Sequence, residues 1–359
     1  SYAMYISRIR TSATALPSTA LLATSIIVAP LTPAAAEPTA RGDVRAKCAV
    51  SSNAALPSTL KAIRSEDQVG TAVPPEVAPP PPLPNALAGL VPTSGPVKTQ
   101  ASSDSGNVRR NATGNIGSIT KTFTAALILQ LDQQKKLSIN DKLWRWRTQI
   151  NWKGDRNILK RISLKQVLQH TSGIPDTSDT PQIIANEHNP TFKPRPRQVV
   201  GWASALPPTF PAGTSWKYSN TNFMILGLVA ESVSRKSLAK LFTQRFFKPL
   251  GLRDTTLGSA NLRPTVASYL ITVNQTTTPK QLTWERFANQ INNNAMWAWA
   301  AGGIQSTSCD LGVWVRALIS GKVLDRAHRK LMQTASPQSR RVIPNTVGPY
   351  ASPYWTGYG

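Results

Sequence analysis

Large hydrophobic side chains are concentrated in the later part of the sequence. No Phe, Trp or Tyr occurs between Ile6 and Thr122, whereas all 10 Trp residues lie at or after Trp144. Aromatic side chains bury the largest areas when a core forms. We therefore expect the folded body to begin near residue 113.

Apolar residues at helical spacing predict several helices after Ser118, and few segments alternate in the way that strands do. The first helix runs from Ser118 to about Lys135 and is apolar on nearly every face, which indicates a buried helix. Capping residues define the ends of the other helices. These are Leu164 to His170 after Ser163, Asn222 to Val233 after Ser219 or Asn220, Ser237 to Phe247 before Gly251, and a helix from Thr307 or Ser308 through Ile319, closed by Gly321.

Residues 37–112 have the Pro- and Ser-rich, low-complexity composition of a linker. Nine prolines fall between Pro74 and Pro96. Such a run favours extended polyproline conformation and lacks backbone donors. We find no alternating stretch between residues 41 and 112 that predicts a strand.

Residues 1–36 are typical of a secretory signal peptide preceded by a short cloning scar. Arg8 and Arg10 precede an apolar stretch from Ala20 to Leu31, and small residues follow up to Ala36. The apolar stretch is too short to span a membrane. We expect cleavage after Ala36 and export to the periplasm or the extracellular space, with no transmembrane segment after removal of the signal.

The chain is strongly basic, with 41 Lys and Arg against 17 Asp and Glu and a formal net charge of +24. Such an excess favours anionic partners, such as nucleic acid or an anionic envelope polymer. The charges are dispersed, however, and no nucleic-acid-binding motif accompanies them. A solvated basic surface is the simpler interpretation, and we expect no specific nucleic-acid binding.

Cysteine and histidine are too few and too scattered to predict a metal site, and no cofactor is expected. Export permits a disulfide, but Cys48 lies in the expected linker, so that we expect no bridge to Cys309. His170, His188 and His328 lack the spacing of metal ligands.

Three Ser-x-x-Lys pairs occur, and one of them has an unusual context. Ser58–Lys61 lies in the linker, and Ser237–Lys240 lies on an amphipathic helix. Ser118–Lys121 instead begins the buried helix, where three-residue spacing places both groups on one face. Desolvation would favour a neutral lysine that could accept the serine proton. The alternative is that Ser118 caps the helix and Lys121 extends to solvent; the pair alone does not decide between them.

A second polar group precedes the next buried helix, within Trp216-Lys217-Tyr218-Ser219-Asn220. Tyr218 and Asn220 are two residues apart and could point into one cleft. There Tyr218 could carry a proton as phenol or phenolate, and Asn220 could bind an amide. The alternative is a packing tyrosine beside a turn.

Four motifs in order resemble the serine beta-lactamase and penicillin-binding family. They are Ile116-Gly117-Ser118-Ile119-Thr120-Lys121, Leu168-Gln169-His170-Thr171-Ser172-Gly173-Ile174-Pro175-Asp176, Tyr218-Ser219-Asn220, and Ala301-Gly302-Gly303-Ile304-Gln305-Ser306-Thr307 with Asp310-Leu311. The resemblance is to the class C side, which includes D-alanyl-D-alanine carboxypeptidases, D-aminopeptidases and related esterases. It covers roughly residues 114–325 and implies an α+β fold around an antiparallel sheet.

The resemblance also implies roles for individual residues. Ser118 would be the acylated nucleophile and Lys121 its proton partner. Tyr218 would act as general base and then as acid toward the leaving group, while Asn220 would hold the substrate amide. The backbone N–H of Ser118 would form half of the oxyanion hole. His170 matches a position that looks structural in the family and receives no catalytic role.

Two features of the family are not recognisable in the sequence. The family's Lys-Thr-Gly or His-x-Gly strand, which supplies the second oxyanion N–H, has no counterpart before Gly359; Trp355-Thr356-Gly357 only mimics it, since tryptophan provides no cation. The strand pair that normally precedes the Ser-x-x-Lys helix is also missing. We therefore expect the helical part to be retained, the central antiparallel sheet to be incomplete, and the chain to be truncated at its C-terminus.

These observations favour a partial beta-lactamase-like serine hydrolase domain at residues 113–359. It would act on an amide, lactam or ester carbonyl through a Ser118 acyl-enzyme, with a small molecule or a peptidoglycan peptide as substrate. The alternative is a catalytically inactive truncated member of the family or an envelope binding protein. Sequence alone does not select the substrate.

Overall fold

The computed structural model describes residues 113–186, 189, 191–258 and 297–341 completely, together with the backbone of Val342 and of several strands outside these ranges. Three features of the sequence lie outside the described residues: the cleavage site expected after Ala36, the Ser58–Lys61 pair and the terminal segment 355–359.

Helices form most of the described body. The α-helices that the structure describes are α1 (Thr120–Gln133), α2 (Leu164–Leu168), α3 (Pro181–Ile184), α4 (Pro196–Ser204), α5 (Asn220–Ser234), α6 (Leu238–Phe242), α7 (Lys248–Leu250), α8 (Trp299–Gly302), α9 (Ser308–Ile319), α10 (Arg326–Gln333) and α11 (Pro337–Val342). Short 3-10 turns lie at Gly117–Ile119, Leu143–Trp146, Arg156–Lys160 and Thr177–Asp179, and a π-helical turn at Thr243–Phe247 joins α6 to α7.

The strands that the structure describes form three small sheets. They are β1 (Ala20–Leu22), β2 (Ile26–Pro30), β3 (Cys48–Val50), β4 (Asn85–Val91), β5 (Val97–Ser103), β6 (Gly114–Asn115), β7 (Thr256–Leu257), β8 (Tyr269–Asn274), β9 (Gln281–Arg286) and β10 (Ile304–Ser306). The sheets have the orders β1-β8-β9, β6-β10-β7 and β2-β4-β5-β3. The first two are antiparallel, while in the third β4 and β5 pair antiparallel and β2 and β3 add to them in parallel.

The hydrophobic core surrounds α1, as its uniformly apolar sequence predicts. Every apolar side chain of α1 from Phe123 to Leu131 is buried. Phe123 stacks on Trp314 of α9 with the ring centroids 3.9 Å apart. Helices α5 and α8 pack against α1, so that the residues at the start of α1 lie beside the start of α5 and the end of α8.

Several helix ends agree with the capping residues read from the sequence. Ser163 and Gln166 form a reciprocal capping box at the start of α2. Thr307 accepts a hydrogen bond from the Asp310 N–H at the start of α9. Gly251 follows α7 with a φ of 66°, a left-handed conformation that glycine adopts at little cost.

The expectation that residues 41–112 contain no strand is wrong. Strands β3, β4 and β5 lie in this segment, and β4 pairs with β5 from Asn85 to Ser103. Their sequences are rich in small and polar residues and short of β-branched ones, so local propensity is weak. Helix α9 packs against β4, and such tertiary contacts define strands that local sequence does not. The boundaries of the expected signal, linker and hydrolase segments stay predictions.

The expectation of unbridged cysteines is also wrong. Cys309, on α9, is disulfide-bonded, and Cys48, at the start of β3, is the chain's only other cysteine. Because β3 pairs with β5 and α9 packs against β5, the two elements lie close together. The bridge was not predicted because the composition around Cys48 indicated a linker.

Within the described residues, no helix combines the length and hydropathy needed to cross a bilayer.

Candidate active site

Ser118 lies on the 3-10 turn that leads into α1 and is partly exposed. Gly117, with a φ of 51°, adopts a left-handed conformation just before it. The chain at this point is held to β10, because the Ile116 N–H donates to the Ile304 carbonyl at 3.0 Å and the Ile304 N–H donates to Thr120 Oγ1 at 3.2 Å. The nucleophile predicted from the sequence therefore stands on a fixed backbone at the edge of the core.

Lys121 is completely buried one turn further along, rather than extending to solvent. Its Nζ donates hydrogen bonds to Ser118 Oγ at 3.2 Å, to Asn220 Oδ1 at 2.8 Å and to the Ala301 carbonyl at 2.7 Å. Burial lowers the pKa of Lys121 from 10.5 to about 7, and the negative charge of Asp176 opposes this shift. A substantial fraction of Lys121 is therefore neutral near pH 7.

The partners of Lys121 determine where its lone pair points when it is neutral. A neutral amine keeps two N–H donors and gains one acceptor. The carbonyl oxygens of Ala301 and Asn220 can only accept, so they retain both donors. The lone pair then faces Ser118 Oγ, the one partner that can donate. The geometry thus prepares Lys121 to accept the serine proton.

Tyr218 approaches Ser118 from the other side. Its Oη lies 2.6 Å from Ser118 Oγ, and either oxygen can be the donor. Lys121 Nζ lies 4.7 Å from the centroid of the Tyr218 ring, within cation–π range. Ser118 Oγ therefore contacts two groups that can each exchange a proton with it.

His170 holds the segment that carries Tyr218. Its ring stacks on the Tyr218 ring with centroids 4.6 Å apart. Its Nδ1 accepts from the Ser219 N–H at 3.1 Å, and its carbonyl accepts from the Lys217 N–H at 3.0 Å. His170 itself has a φ of 57°, in the left-handed region where His and Asn are among the tolerated residues.

His170 is neutral in this environment. Burial and the nearby charge of Lys121 lower its pKa from 6.5 to about 3. Because Nδ1 accepts a hydrogen bond, the ring proton lies on Nε2, which is buried and has no partner among the residues that the structure describes. His170 therefore has a definite structural role, because its ring packs directly against Tyr218, a predicted catalytic residue.

Asn220 contacts protein groups at both ends of its amide. Its Oδ1 accepts from Lys121, while its Nδ2 donates to Asp176 Oδ1 at 3.2 Å and to Ser178 Oγ at 3.2 Å. The role expected from the family resemblance, binding the substrate amide, stays a prediction. The role visible in the structure is to fix the position of Lys121.

The structure thus brings together the four residues named from the sequence, although they lie on two segments about 100 positions apart. The contributions of Asp176, His170 and Ala301 were not predicted from the sequence. Each lies within one of the motifs quoted from the sequence, so the motif was a signal. Its contact with the site, however, joins segments that are far apart in the chain. Within the described part of the chain, no group of three His, Cys, Asp or Glu residues could hold a metal ion.

A family model described as Beta-lactamase matches residues 85–359 of the chain. The chain belongs to the beta-lactamase family. The match begins within the segment whose composition predicted a linker, and it includes strands β4 and β5.

Two curated proteins of similar sequence are bacterial. Protein flp of Staphylococcus aureus strain MW2 is 27% identical over 248 residues, which are 68% of this chain and 45% of that protein. Penicillin-binding protein 4* of Bacillus subtilis strain 168 is 26% identical over 166 residues, 44% of this chain and 33% of that protein. The matched region therefore spans less than half the length of these two relatives.

Solved structures of similar fold include two amidohydrolases. A D-stereospecific amidohydrolase from a Streptomyces species has a TM-score of 0.61 and 27% identity, and the match covers 79% of each chain. The D-amino acid amidase of Ochrobactrum anthropi SV3 has a TM-score of 0.54 and 20% identity over 69% of each chain, which shows a shared fold alone.

Proposed function

We propose that this chain is a serine hydrolase that cleaves amide, lactam or ester carbonyls through an acyl-enzyme on Ser118. One observation carries the proposal: Ser118 Oγ lies 2.6 Å from Tyr218 Oη and 3.2 Å from Lys121 Nζ. A serine needs an adjacent proton acceptor to act as a nucleophile at neutral pH. The pKa of Lys121, lowered to about 7 by burial, suits that task.

The proposed acylation step replaces the bond from the carbonyl carbon to the leaving group by a bond to Ser118 Oγ, and its net proton transfer is from Ser118 to the leaving group. Ser118 Oγ adds to the carbonyl carbon as its proton passes to Lys121 Nζ, directly or through Tyr218 Oη. The bond from the carbonyl carbon to the leaving nitrogen or oxygen then breaks, and the leaving group takes a proton from Tyr218, which Lys121 replaces. Water then attacks the acyl carbon and the bond from that carbon to Ser118 Oγ breaks. The carboxylic acid leaves, and Ser118 Oγ takes one proton of the water through Lys121 or Tyr218.

The oxyanion of the tetrahedral intermediate would be stabilised by the backbone N–H of Ser118. This group lies in the first turn of the helical segment, where backbone N–H groups have no partner within the helix. Helix N-termini also favour nearby negative charge. Ser118 would thus provide both the attacking oxygen and one donor to the developing charge.

For the substrate we propose the amide of a D-amino acid or of a peptide that contains one, with cleavage in the manner of a carboxypeptidase or amidase. The support is the 27% identity to a D-stereospecific amidohydrolase over 79% of each chain.

The test measures ammonia release from D- and L-phenylalanine amide and the opening of a chromogenic cephalosporin. We expect the D-amide to react at least about tenfold faster than the L-amide, a ratio that differential binding can supply.

Ser118→Ala is the control for these assays. Release that is equal in the wild type and in Ser118→Ala would contradict hydrolysis at this site and would favour the alternative, a family member that binds without catalysis. Equal rates on the two enantiomers, abolished by Ser118→Ala, would retain the hydrolase and reject the D-amino acid preference.

We also propose that the protein is exported. The support is the order of basic, apolar and small residues within positions 1–36. N-terminal sequencing of the secreted or periplasmic protein should begin at Glu37. Recovery of the intact N-terminus from the cytoplasm would contradict export.

A further inference from the structure

Asp176 places a carboxylate beside the proposed acylation site. The residue is only 1% exposed. Its Oδ1 accepts from the Ser178 N–H at 3.0 Å, which begins the 3-10 turn Thr177–Asp179. The same oxygen accepts from the backbone N–H of Asn220 at 3.3 Å and from Asn220 Nδ2 at 3.2 Å. The carboxylate thus contacts both the backbone and the side chain of one active-site residue.

These contacts decide which way the Asn220 amide faces. A carboxylate oxygen accepts and does not donate, so the end of the amide beside Asp176 must be the NH₂ group. The carbonyl end then faces Lys121, where Oδ1 accepts from Nζ at 2.8 Å. In the reverse orientation, two oxygens would meet at Asp176 and two donors would meet at Lys121. Asp176 therefore excludes that orientation.

We propose that Asp176 is a positioning residue of the acylation site: its carboxylate orients the Asn220 amide, which in turn holds the Nζ of Lys121 against Ser118. The proposal rests on the proposed function of Ser118 and Lys121. It assigns to the last residue of the His170–Asp176 motif a role that no sequence pattern indicated.

The charge of Asp176 adds an effect that can be measured. Its negative charge raises the pKa of Lys121, against the larger effect of burial, which lowers it. Among the residues that the structure describes, the other titratable groups beside Lys121 are Tyr218 and His170, and His170 is neutral because its pKa is lowered to about 3. Asp179, on the same turn as Asp176, pairs with Lys217 at 3.7 Å instead. Asp176 is thus the acid that opposes the loss of the lysine proton.

The experiment measures the rate of Ser118 acylation by a fluorescent penicillin against pH in the wild type and in three variants. Asp176→Asn keeps the shape and removes the charge. It should lower the pKa of Lys121 and thereby move the acid limb of the profile to lower pH. It should also lower the plateau rate by about tenfold, because a charged hydrogen bond to Asn220 is lost. Asp176→Glu keeps the charge but moves the carboxylate, and should lower the plateau with a smaller change of midpoint. Asp179→Asn is the matched control and should reproduce the wild-type profile.

Two results would overturn the proposal. One is a profile of Asp176→Asn that superimposes on that of the wild type. The other is a uniform loss of rate in Asp176→Asn without a change of midpoint, which would indicate a structural role alone.

A second measurement does not depend on catalysis. The pKa of Lys121 can be followed by ¹⁵N NMR of its Nζ in the folded wild type and in Asp176→Asn, and it should be lower in the variant. An unchanged pKa would contradict the proposal even in a protein that is never acylated. If the wild type is acylated neither by the penicillin nor by a fluorophosphonate but the pKa moves as expected, the proposed function fails while the placement of Asp176 beside Lys121 stands.

Discussion

The carbonyl oxygen of Ala301 accepts a 2.7 Å hydrogen bond from the Nζ of Lys121, 180 positions earlier in the chain. This bond connects the start of α1 to α8 in the interior of the molecule. The position of α8 depends on Gly227 of α5, because a Cβ at Gly227 would lie 2.6 Å from Ala300 Cβ and 2.6 Å from the Trp299 ring. The absence of a side chain at Gly227 therefore determines where the Ala301 carbonyl lies, and with it the hydrogen bond to Lys121, the proposed base.

The substitution Gly227→Ala tests this connection. The added methyl group should displace α8, lower the free energy of unfolding by about 1–3 kcal/mol and slow acylation of Ser118, since the Ala301 carbonyl would move away from Lys121. Denaturant unfolding and the acylation rate are the two measurements. Ala230→Gly, one turn further along α5 and also fully buried, is the control: it should lower stability but leave acylation close to that of the wild type. Normal acylation in folded Gly227→Ala would contradict the connection.

The sequence indicated the candidate residues of the site because their motifs are local. Ser118 and Lys121 share one helix face, and Tyr218 and Asn220 begin the next buried helix, so apolar periodicity was sufficient to place each pair. The approach of the two pairs to within hydrogen-bond distance depends on the tertiary structure. The order of motifs, rather than any single pair, indicated that the two segments meet.

The residues that position this site could not be predicted in the same way. Asp176 contacts Asn220 across 44 positions, and a loop sequence does not show which side chain its carboxylate will contact. Strands β4 and β5 were missed because their small residues carry little strand propensity and their definition comes from pairing and from α9. The bridge at Cys309 was missed for the same reason, since it depends on where β3 lies.

Burial of Lys121 predicts a characteristic dependence of stability on pH. The folded pKa of about 7 lies below the ordinary value of 10.5, so the unfolded chain binds this proton more tightly. The resulting destabilisation is fully present below pH 7 and is relieved as pH rises toward 10.5. Relative to Lys121→Met, the wild type should gain at most about 1.4 kcal/mol per pH unit within that window. Chemical denaturation at several pH values measures the difference, and parallel curves for the two proteins would contradict a lowered pKa.

His170 should affect both acylation and acid stability. His170→Asn keeps an acceptor near Nδ1 and tolerates the left-handed backbone, whereas His170→Phe keeps an aromatic ring but leaves the Ser219 N–H without its partner, at a cost of about 1–3 kcal/mol. We expect His170→Phe to lose most of the acylation rate and His170→Asn to retain more of it. Equal rates in the two variants would argue against the role of the Nδ1 hydrogen bond.

A comparison of the wild type with His170→Asn tests the neutrality of His170. Its folded pKa of about 3 lies below the ordinary 6.5, so the wild type should lose stability as pH falls from 6.5 toward 3, where only the unfolded state binds the proton. His170→Asn lacks this group and should lose less over that range. The free energy of unfolding at each pH is the measurement, and an identical loss in both proteins would show that His170 titrates normally.

Covalent labelling of Ser118 tests the central claim most directly. Purified protein is incubated near pH 8 with a labelled penicillin and, separately, with a fluorophosphonate, and then analysed by intact mass and peptide mapping. We predict one added mass on the peptide that contains Ser118, no addition to Ser118→Ala, and slower addition to Lys121→Met. A folded wild type that remains unlabelled by both reagents, or that is labelled to the same extent as Ser118→Ala, would contradict the assignment of Ser118 as an acylated nucleophile.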